Sequence, residues 1–206
     1  MGEGSTRSPM RERFREQVRD AVKVAALVQL AEGGPAAVSV NGIAKGLGVS
    51  GPALYRYFAG RDELLAELVA DTYRDLASAL AASVDPAPGL ATVERVRALC
   101  AAWRDFARAE PHRYRLLFAP PLPGQDAHAE PLVAASRDVM AVARDVVAPL
   151  APAPDDLMTV LSLWTRLHGF AGLELGGNFA SMGLDPDALF RREVDDLVRD
   201  LSRGGA

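Results

Sequence analysis

The chain has few of the residues on which enzyme chemistry usually depends. Its 206 residues include one cysteine, Cys100, and three histidines, so an internal disulfide and a multi-cysteine metal site are excluded. The histidines lack metal-ligand spacing, and the sequence has neither a Gly-rich phosphate loop after a strand nor a G-x-S-x-G elbow. We therefore expect no enzyme activity, no metal and no cofactor, and interpret Cys100 as a small core residue.

Long hydrophobic runs are also missing. No apolar stretch reaches the roughly 18 residues that a membrane-spanning helix requires, and no apolar block follows the N-terminal charges as it would in a signal peptide. The composition, 49% apolar and 24% charged, is ordinary for a soluble globular protein. We expect a cytoplasmic protein without membrane contacts.

The charges are distributed unevenly along the chain. The net charge is −4, which by itself does not favour nucleic-acid binding. Residues 5–61, however, carry nine lysines and arginines and four acids, a balance of +5, so the remainder carries −9. A basic N-terminal end on an acidic body is typical of a protein whose N-terminal end meets phosphate.

One stretch near the N-terminus has the pattern of two short helices joined by a tight turn. Ser39 is suited to cap the first helix, and Gly48 stands where the chain must turn, a position that favours positive φ. Val49 is expected to fill the corner and Ser50 to cap the second helix, with Pro52 in its first turn. The pattern indicates a DNA-reading helix-turn-helix. A small three-helix core without a DNA function is the alternative.

The residues of this stretch closely resemble the TetR family of bacterial transcription regulators. The resemblance is carried by S-x3-IA-x2-LGVS from Ser39, LY-x-YF from Leu54 and DELL from Asp62, and it is good over about residues 14–73. Ser39 and Arg61 replace a threonine and a lysine that are common in the family, but they keep the hydroxyl and the charge. Further on, LWTRLHG at 163–169 is similar to the Trp-His-Gly signature of one C-terminal domain type in such regulators.

The resemblance implies an all-α homodimer. Each chain would have a three-helix helix-turn-helix head and a larger helical domain for ligand binding and dimerisation, with about nine helices in all. We place a disordered tail at residues 1–10, the DNA-binding domain at 11–75 with its motif at 39–58, and the C-terminal domain at 76–206.

Within the head, Arg56 is the first candidate for reading a base edge, because its planar fork matches guanine O6 and N7. Tyr55 and Tyr57 are expected on phosphates, as the resemblance implies. For each side chain the alternative is an ordinary solvated surface residue. The residues expected at the DNA are Ser39, Val40, Ser50, Gly51, Pro52, Ala53, Tyr55, Arg56, Tyr57 and Arg61.

Aromatic residues of the predicted body helices could line an apolar ligand cavity, with Tyr114 and His168 as its polar groups. The alternative is an ordinary core, and a histidine on an apolar helix is more often a satisfied core residue than a ligand contact. The candidate ligand residues are Trp103, Phe106, Tyr114, Phe118, Trp164, His168 and Phe170.

The helix predicted over residues 155–178 is apolar nearly all round, which indicates burial on two sides. Together with the last helix it would form a four-helix bundle with a second copy. The alternative is that both helices only close the core of one chain. The candidate interface residues are Leu161, Gly169, Gly172, Gly176, Phe190, Val194, Leu197 and Leu201.

Together with these patterns, the resemblance implies a homodimeric repressor on double-stranded DNA with a palindromic operator, released when a small apolar or aromatic ligand binds. An activator or a ligand-independent regulator is the alternative of the same class. From another class, the alternative is a ligand-binding or scaffold protein whose head does not bind DNA.

Overall fold

The protein is built from α-helices. In the computed structural model, residues 9–84, 91–118, 130–150 and 156–204 are described, and no strand occurs in those ranges. The all-α prediction is confirmed, and the described ranges hold ten α-helices and one 3-10 turn, where the sequence predicts about nine helices. The elements are α1 (Pro9–Gly33), the 3-10 turn (Pro35–Ala37), α2 (Val40–Gly46), α3 (Gly51–Leu54), α4 (Arg61–Val84), α5 (Thr92–Ala109), α6 (Pro111–Leu117), α7 (Glu130–Val147), α8 (Asp156–Leu175), α9 (Asn178–Ser181) and α10 (Pro186–Gly204).

The described residues form two compact units, one of residues 9–69, here called the head, and one of the remaining residues, here called the body. The division falls inside α4, as the predicted boundary at 75/76 does. Residues 1–8 of the predicted tail lie outside the described ranges, and α1 begins at Pro9.

Three helices and the start of α4 enclose the core of the head. In α1 the buried residues recur every fourth position, at Val22, Ala26 and Leu30, which places them on one face. The side chains that face them come from the chain between the 3-10 turn and the first half of α4. They fill the core of the head and are Val38, Ile43, Ala44, Leu54, Phe58, Leu64, Leu65 and Leu68.

The core of the body lies where α5, α7 and α8 pack together, and α10 packs on α5 and α8. Cys100 is fully buried on α5, as predicted, and burial raises the pKa of its thiol to about 12. No helix in the described ranges is long and apolar enough to span a membrane.

A buried arginine links three helices of the body. Arg104 on α5 is only 7% exposed. Its Nε and Nη2 donate to the two carboxylate oxygens of Glu174 on α8 at 2.9 and 2.6 Å, and Nη2 also donates to Asp187 on α10 at 2.7 Å. Its guanidinium lies 4.6 Å from the ring centre of Phe190. These contacts satisfy a charge that would otherwise be costly to bury.

Candidate functional site

The first short helix of the motif is fixed by its cap. Ser39 has an extended backbone, and its Oγ accepts a hydrogen bond from the backbone nitrogen of Gly42 at 3.2 Å, which confirms the predicted cap. The backbone nitrogen of Ser39 in turn donates to Oε1 of Gln29 on α1 at 2.8 Å. The cap therefore also ties the start of α2 to α1.

The turn between α2 and α3 is set by two glycines. Gly48 has φ of 69°, the left-handed region in which other L-residues are strained. At Gly51 a Cβ would lie 2.9 Å from Oδ1 of Asn41, so α2 and α3 approach too closely for a side chain without a shift of Asn41. The two short helices are thereby held at a tight corner.

Two predicted details of this corner are wrong. Ser50 stands at the cap position of α3, but its hydroxyl makes no cap hydrogen bond. Val49 is 43% exposed and does not fill the corner, because the core beneath is already occupied by side chains such as Ile43 and Leu54.

The residues of α3 and the following turn separate into an inner and an outer side. Leu54 and Phe58 are each 1% exposed and anchor the segment in the core of the head. Tyr55 and Arg56 are exposed. The two sides confirm the predicted inner pair, although α3 itself ends at Leu54 and continues as a turn. Of the other candidates, Ser39, Ser50 and Pro52 are exposed, whereas Gly51, Ala53 and Tyr57 are half-buried.

Two residues expected at the DNA serve the head itself. Val40 is only 6% exposed, because it is one of the apolar residues through which α2 packs on the core. Arg61 is half-buried and its Nη2 donates to the carbonyl oxygen of Pro35 at 2.6 Å, so it connects the start of α4 to the 3-10 turn. Val40 is therefore part of the core, and Arg61 has a bonding partner within the head.

Part of the positive charge of the head is neutralised internally. Arg19 and Lys23 on α1 both pair with Glu67 on α4, Lys23 at 3.2 Å. Arg19 also donates to the carbonyl oxygen of Tyr57 and lies 4.3 Å from the ring centre of Phe58. Arg19 therefore holds the end of residues 51–58, α3 and the turn after it, here called the reading segment, against α1 and α4.

In the body, most of the predicted aromatic residues form one cluster, which comprises Trp103, Tyr114, Phe118, Trp164 and His168. The ring of His168 lies 3.7 Å from that of Phe118 and is stacked on that of Trp164 at 5.8 Å, with 11° between the planes. Tyr114 lies 5.2 Å from Phe118. Phe118, Trp164 and His168 are half-buried, whereas Trp103 and Tyr114 are buried.

A hydrogen-bond chain runs through this aromatic cluster. Nε1 of Trp103 donates to Oη of Tyr114 at 3.0 Å, and Oη of Tyr114 lies 3.2 Å from Nδ1 of His168. Burial raises the pKa of Tyr114 and lowers the pKa of His168 from its ordinary value, so both groups favour their neutral forms.

Two predicted ligand residues are not part of the cluster. Phe170 faces another side of α8, where its ring lies 4.9 Å from Phe179 and 5.1 Å from Phe190. It belongs to the apolar core beside Arg104 and lies apart from the other predicted ligand residues. Phe106 is half-buried on α5, and it makes no ring contact within the described ranges.

The predicted dimer residues also divide into two groups. Phe190, Val194 and Leu197 are buried within their own chain, where α10 packs on α5 and α8, so they contribute to the core of the body. Gly176 is exposed, but a Cβ there would lie 2.6 Å from Nδ2 of Asn178, so the turn after α8 already explains this glycine.

One face of α8 remains exposed and apolar. Gly169 and Gly172 are exposed on it with open space where a Cβ would stand. Large apolar side chains accompany them, namely Leu157, Met158, Leu161 and Leu173. Leu201, the last residue of the predicted set, is half-buried on α10.

Comparisons with known proteins match both units of the chain. The model of bacterial regulatory proteins of the tetR family matches residues 24–68. The model of the tetracyclin repressor-like C-terminal domain matches residues 96–197. The first match contains the helix-turn-helix, and the second contains the aromatic cluster.

Individual relatives agree with these matches. The crystal structure of SCO4313, which is described as a regulatory protein, is 41% identical with a TM-score of 0.79, covering 92% of this chain and 98% of that one. The HTH-type transcriptional regulator Rv1816 of Mycobacterium tuberculosis is 29% identical over 215 aligned residues, 89% of this chain and 92% of Rv1816. A TetR variant from Acinetobacter baumannii AYE in complex with minocycline shares the fold at 19% identity and a TM-score of 0.64, covering 90% and 96%.

These relatives are regulators and not enzymes. The helix-turn-helix in the head, the all-α body and the agreement of both family models lead to one conclusion. The chain belongs to the TetR family of transcriptional regulators.

Proposed function

We propose that this regulator is a homodimeric repressor that binds a palindromic operator and is released by a small apolar or aromatic ligand. The observation that carries the proposal is the exposed pair Tyr55 and Arg56, held outward by the buried anchors Leu54 and Phe58. Such an arrangement presents side chains that can bond bases and phosphates from a rigid support. A protein of this kind acts on DNA in the cytoplasm.

At the DNA we assign Arg56 to a base edge, where its guanidinium would donate to guanine O6 and N7. Tyr55, Tyr57, Ser39 and Ser50 would bond phosphates and fix the register of the head. The half-buried Gly51 and Ala53 and the exposed Pro52 present little bulk, which lets the segment lie deep in the major groove.

The exposed apolar face of α8 supports dimerisation. Helices of 20 residues span about 30 Å, so α8 from two copies can pack along most of its length. At Gly169 and Gly172 the backbones can approach closely because no side chain intervenes. In a symmetric dimer the two reading segments would lie about one DNA turn, roughly 34 Å, apart, which is why we expect a palindrome.

The aromatic cluster supports a ligand site in the body. A ligand that binds one setting of the dimer better than another shifts the population toward that setting. A preference of only about 1.4 kcal/mol changes operator occupancy tenfold at limiting protein. Minocycline bound to the TetR variant is one example of a small molecule on this fold.

Salt-dependent binding to DNA from upstream of the coding region tests the proposal. We expect selective binding over a scrambled fragment of equal length at moderate salt, with a footprint on two symmetric half-sites. Equal affinity for both fragments at every salt concentration would contradict a regulator of transcription and favour a scaffold protein.

The sign of regulation needs a second measurement. Transcription from the bound promoter is expected to fall when the protein is added and to recover when the ligand is added. A rise on addition of protein would identify an activator.

A further inference from the structure

The hydrogen-bond chain in the aromatic cluster fixes the position of one proton. An indole N–H can only donate, so Oη of Tyr114 accepts from Trp103. The hydroxyl proton of the buried Tyr114 is then left for Nδ1 of His168, the other group within hydrogen-bond distance among the residues that the structure describes. A nitrogen that accepts this proton carries none of its own, so the proton of the neutral imidazole resides on Nε2.

The Nε2–H group of His168 is consequently available as a hydrogen-bond donor. Among the residues that the structure describes, no group pairs with Nε2 of His168. The imidazole is half-buried and packs against the rings of Phe118 and Trp164, which are themselves half-buried. Part of each ring is therefore accessible beside the donor, a combination that suits a flat molecule with one acceptor atom.

The cluster also selects on charge. None of its five side chains is charged when His168 is neutral, so a bound anion would lose its hydration without gaining a counterion. A cation would meet the positive end of the Nε2–H bond. Two arginines flank Tyr114 in sequence and both are engaged elsewhere: Arg113 with Asp75 and Thr72 on α4, and Arg115 with the carbonyl oxygen of Leu175.

We propose that the body takes an uncharged, planar aromatic ligand whose acceptor atom receives a hydrogen bond from Nε2–H of His168. The inference rests on the proposed ligand-released regulator and adds to it the chemical class of the ligand. Tyr114 is a positioning residue in this scheme, because it acts on the ligand only through the tautomer of His168.

The tautomer can be observed directly by nitrogen-15 NMR of the histidine side chains in the full chain. We expect the resonances of His168 to show a pyridine-type Nδ1 and a pyrrole-type Nε2. In Tyr114→Phe, which keeps the ring and removes the hydroxyl, we expect a mixture of tautomers. A pyrrole-type Nδ1 in the unmodified protein would overturn the inference.

The ligand class is tested with three probes of one shape: quinoline, naphthalene and N-methylquinolinium. Both tryptophans of the chain belong to the cluster, so their fluorescence reports binding there. At mildly alkaline pH, where quinoline is uncharged, we expect it to bind about fivefold more tightly than naphthalene, the gain of one neutral hydrogen bond. N-methylquinolinium is expected to bind more weakly than either.

Two variants assign the preference to His168. The His168→Phe variant should bind quinoline and naphthalene with equal affinity. The Tyr114→Phe variant should reduce the difference between the two affinities. If His168→Phe does not fold, Tyr114→Phe and the NMR spectrum still decide. Equal binding of the two probes by the unmodified protein would overturn the inference.

Operator binding without any probe, measured on the same samples, separates this inference from the proposed function. Intact operator binding with equal binding of quinoline and naphthalene refutes only the ligand class. Absence of selective DNA binding refutes the regulator, whatever the probes show.

Discussion

The guanidinium of Arg56 is exposed on the outer side of the reading segment, and no described residue binds it. For Arg56→Ala we expect the affinity for the operator to fall by about 1–3 kcal/mol, because a bidentate contact to a base is lost. Nonspecific binding should change little, since it depends on phosphate contacts. Fluorescence anisotropy with operator and scrambled DNA measures both.

Arg192→Ala is the matched control for this prediction. Arg192 is an exposed arginine of the body, so its removal changes the net charge equally without touching the reading segment. If Arg56→Ala weakened operator and scrambled DNA to the same extent, Arg56 would be a phosphate contact and not a base reader.

Arg104 responds to a different environment. It is buried and bonded to both oxygens of Glu174, so Arg104→Ala leaves the half-buried carboxylate of Glu174 without its partner. We expect the free energy of unfolding to fall by about 3–5 kcal/mol in urea titrations. Arg108→Ala is the control: Arg108 is exposed, lies 3.5 Å from Asp187, and is expected to have little effect. Equal losses for the two variants would contradict the buried network.

His168 gives the protein a dependence on pH near neutrality. Burial lowers its pKa from 6.5, so below pH 6.5 the unfolded chain binds a proton more readily than the folded chain. Stability should therefore fall as the pH drops from about 7.5 to about 5.5. Among the described residues, Tyr114 is the titratable group within hydrogen-bond distance of the imidazole, and its raised pKa keeps the hydroxyl neutral over this pH range.

His168→Gln is expected to flatten this part of the stability profile, whereas His112 and His128 remain in that variant. Thermal unfolding at a series of pH values measures the effect. Parallel profiles for the two proteins would show that His168 does not titrate on unfolding.

At the scale of elements, the turn between α2 and α3 depends on backbone conformation. Gly48→Ala should lower the free energy of unfolding by about 1 kcal/mol, because φ of 69° is strained for alanine. Gly46→Ala is the matched control, since Gly46 lies in α2 with open space at its Cβ and should gain up to about 1 kcal/mol. A loss at both positions would mean that the turn is not the cause.

The long helices could be predicted from sequence because local signals define their ends. Gly33-Gly34-Pro35 ends α1, and Asp185-Pro186 opens α10, as helix-stop and helix-start residues usually do. The one-turn helix α9 was missed, because four residues carry no periodic pattern. Whether a long helix forms, and where it ends, can thus be predicted from the local sequence.

Which face of a helix is buried depended on contacts that the sequence does not display. Val40 and Phe170 are apolar residues that the sequence predicts at binding sites, yet both are packed in the core. Gln29 and Glu174 are polar residues whose partners, Ser39 and Arg104, are distant in sequence. No periodicity reveals such pairs, because each is created only when the helices pack.

At the scale of the whole molecule, the two helices predicted at the dimer interface have different outer surfaces. α10 buries its large apolar residues in its own chain, and its exposed positions carry charged residues such as Arg192, Asp195 and Arg199. α8 instead exposes Met158, which is 68% accessible, and Leu161. Apolar area left open by a folded chain is an expected mark of an interface, so we expect the centre of the proposed dimer to lie on α8.

Leu161→Glu tests the dimer and its role on DNA together. Two symmetric glutamates would be buried near each other between the paired helices, where their desolvation is costly and their charges repel. We expect sedimentation to show a particle of one chain mass instead of two. Ala141→Glu, at an exposed position of α7, introduces the same charge and should remain dimeric.

The affinity for the operator should fall in Leu161→Glu as well, because a dimer binds its second half-site at high effective concentration and a monomer loses that gain. For the unmodified protein the palindrome should bind far more tightly than a half-site, and for Leu161→Glu this ratio should approach one. A Leu161→Glu protein that stays dimeric would show that the interface does not lie on the exposed face of α8. A monomeric Leu161→Glu protein that keeps the full preference for the palindrome would show that this preference does not depend on pairing through α8.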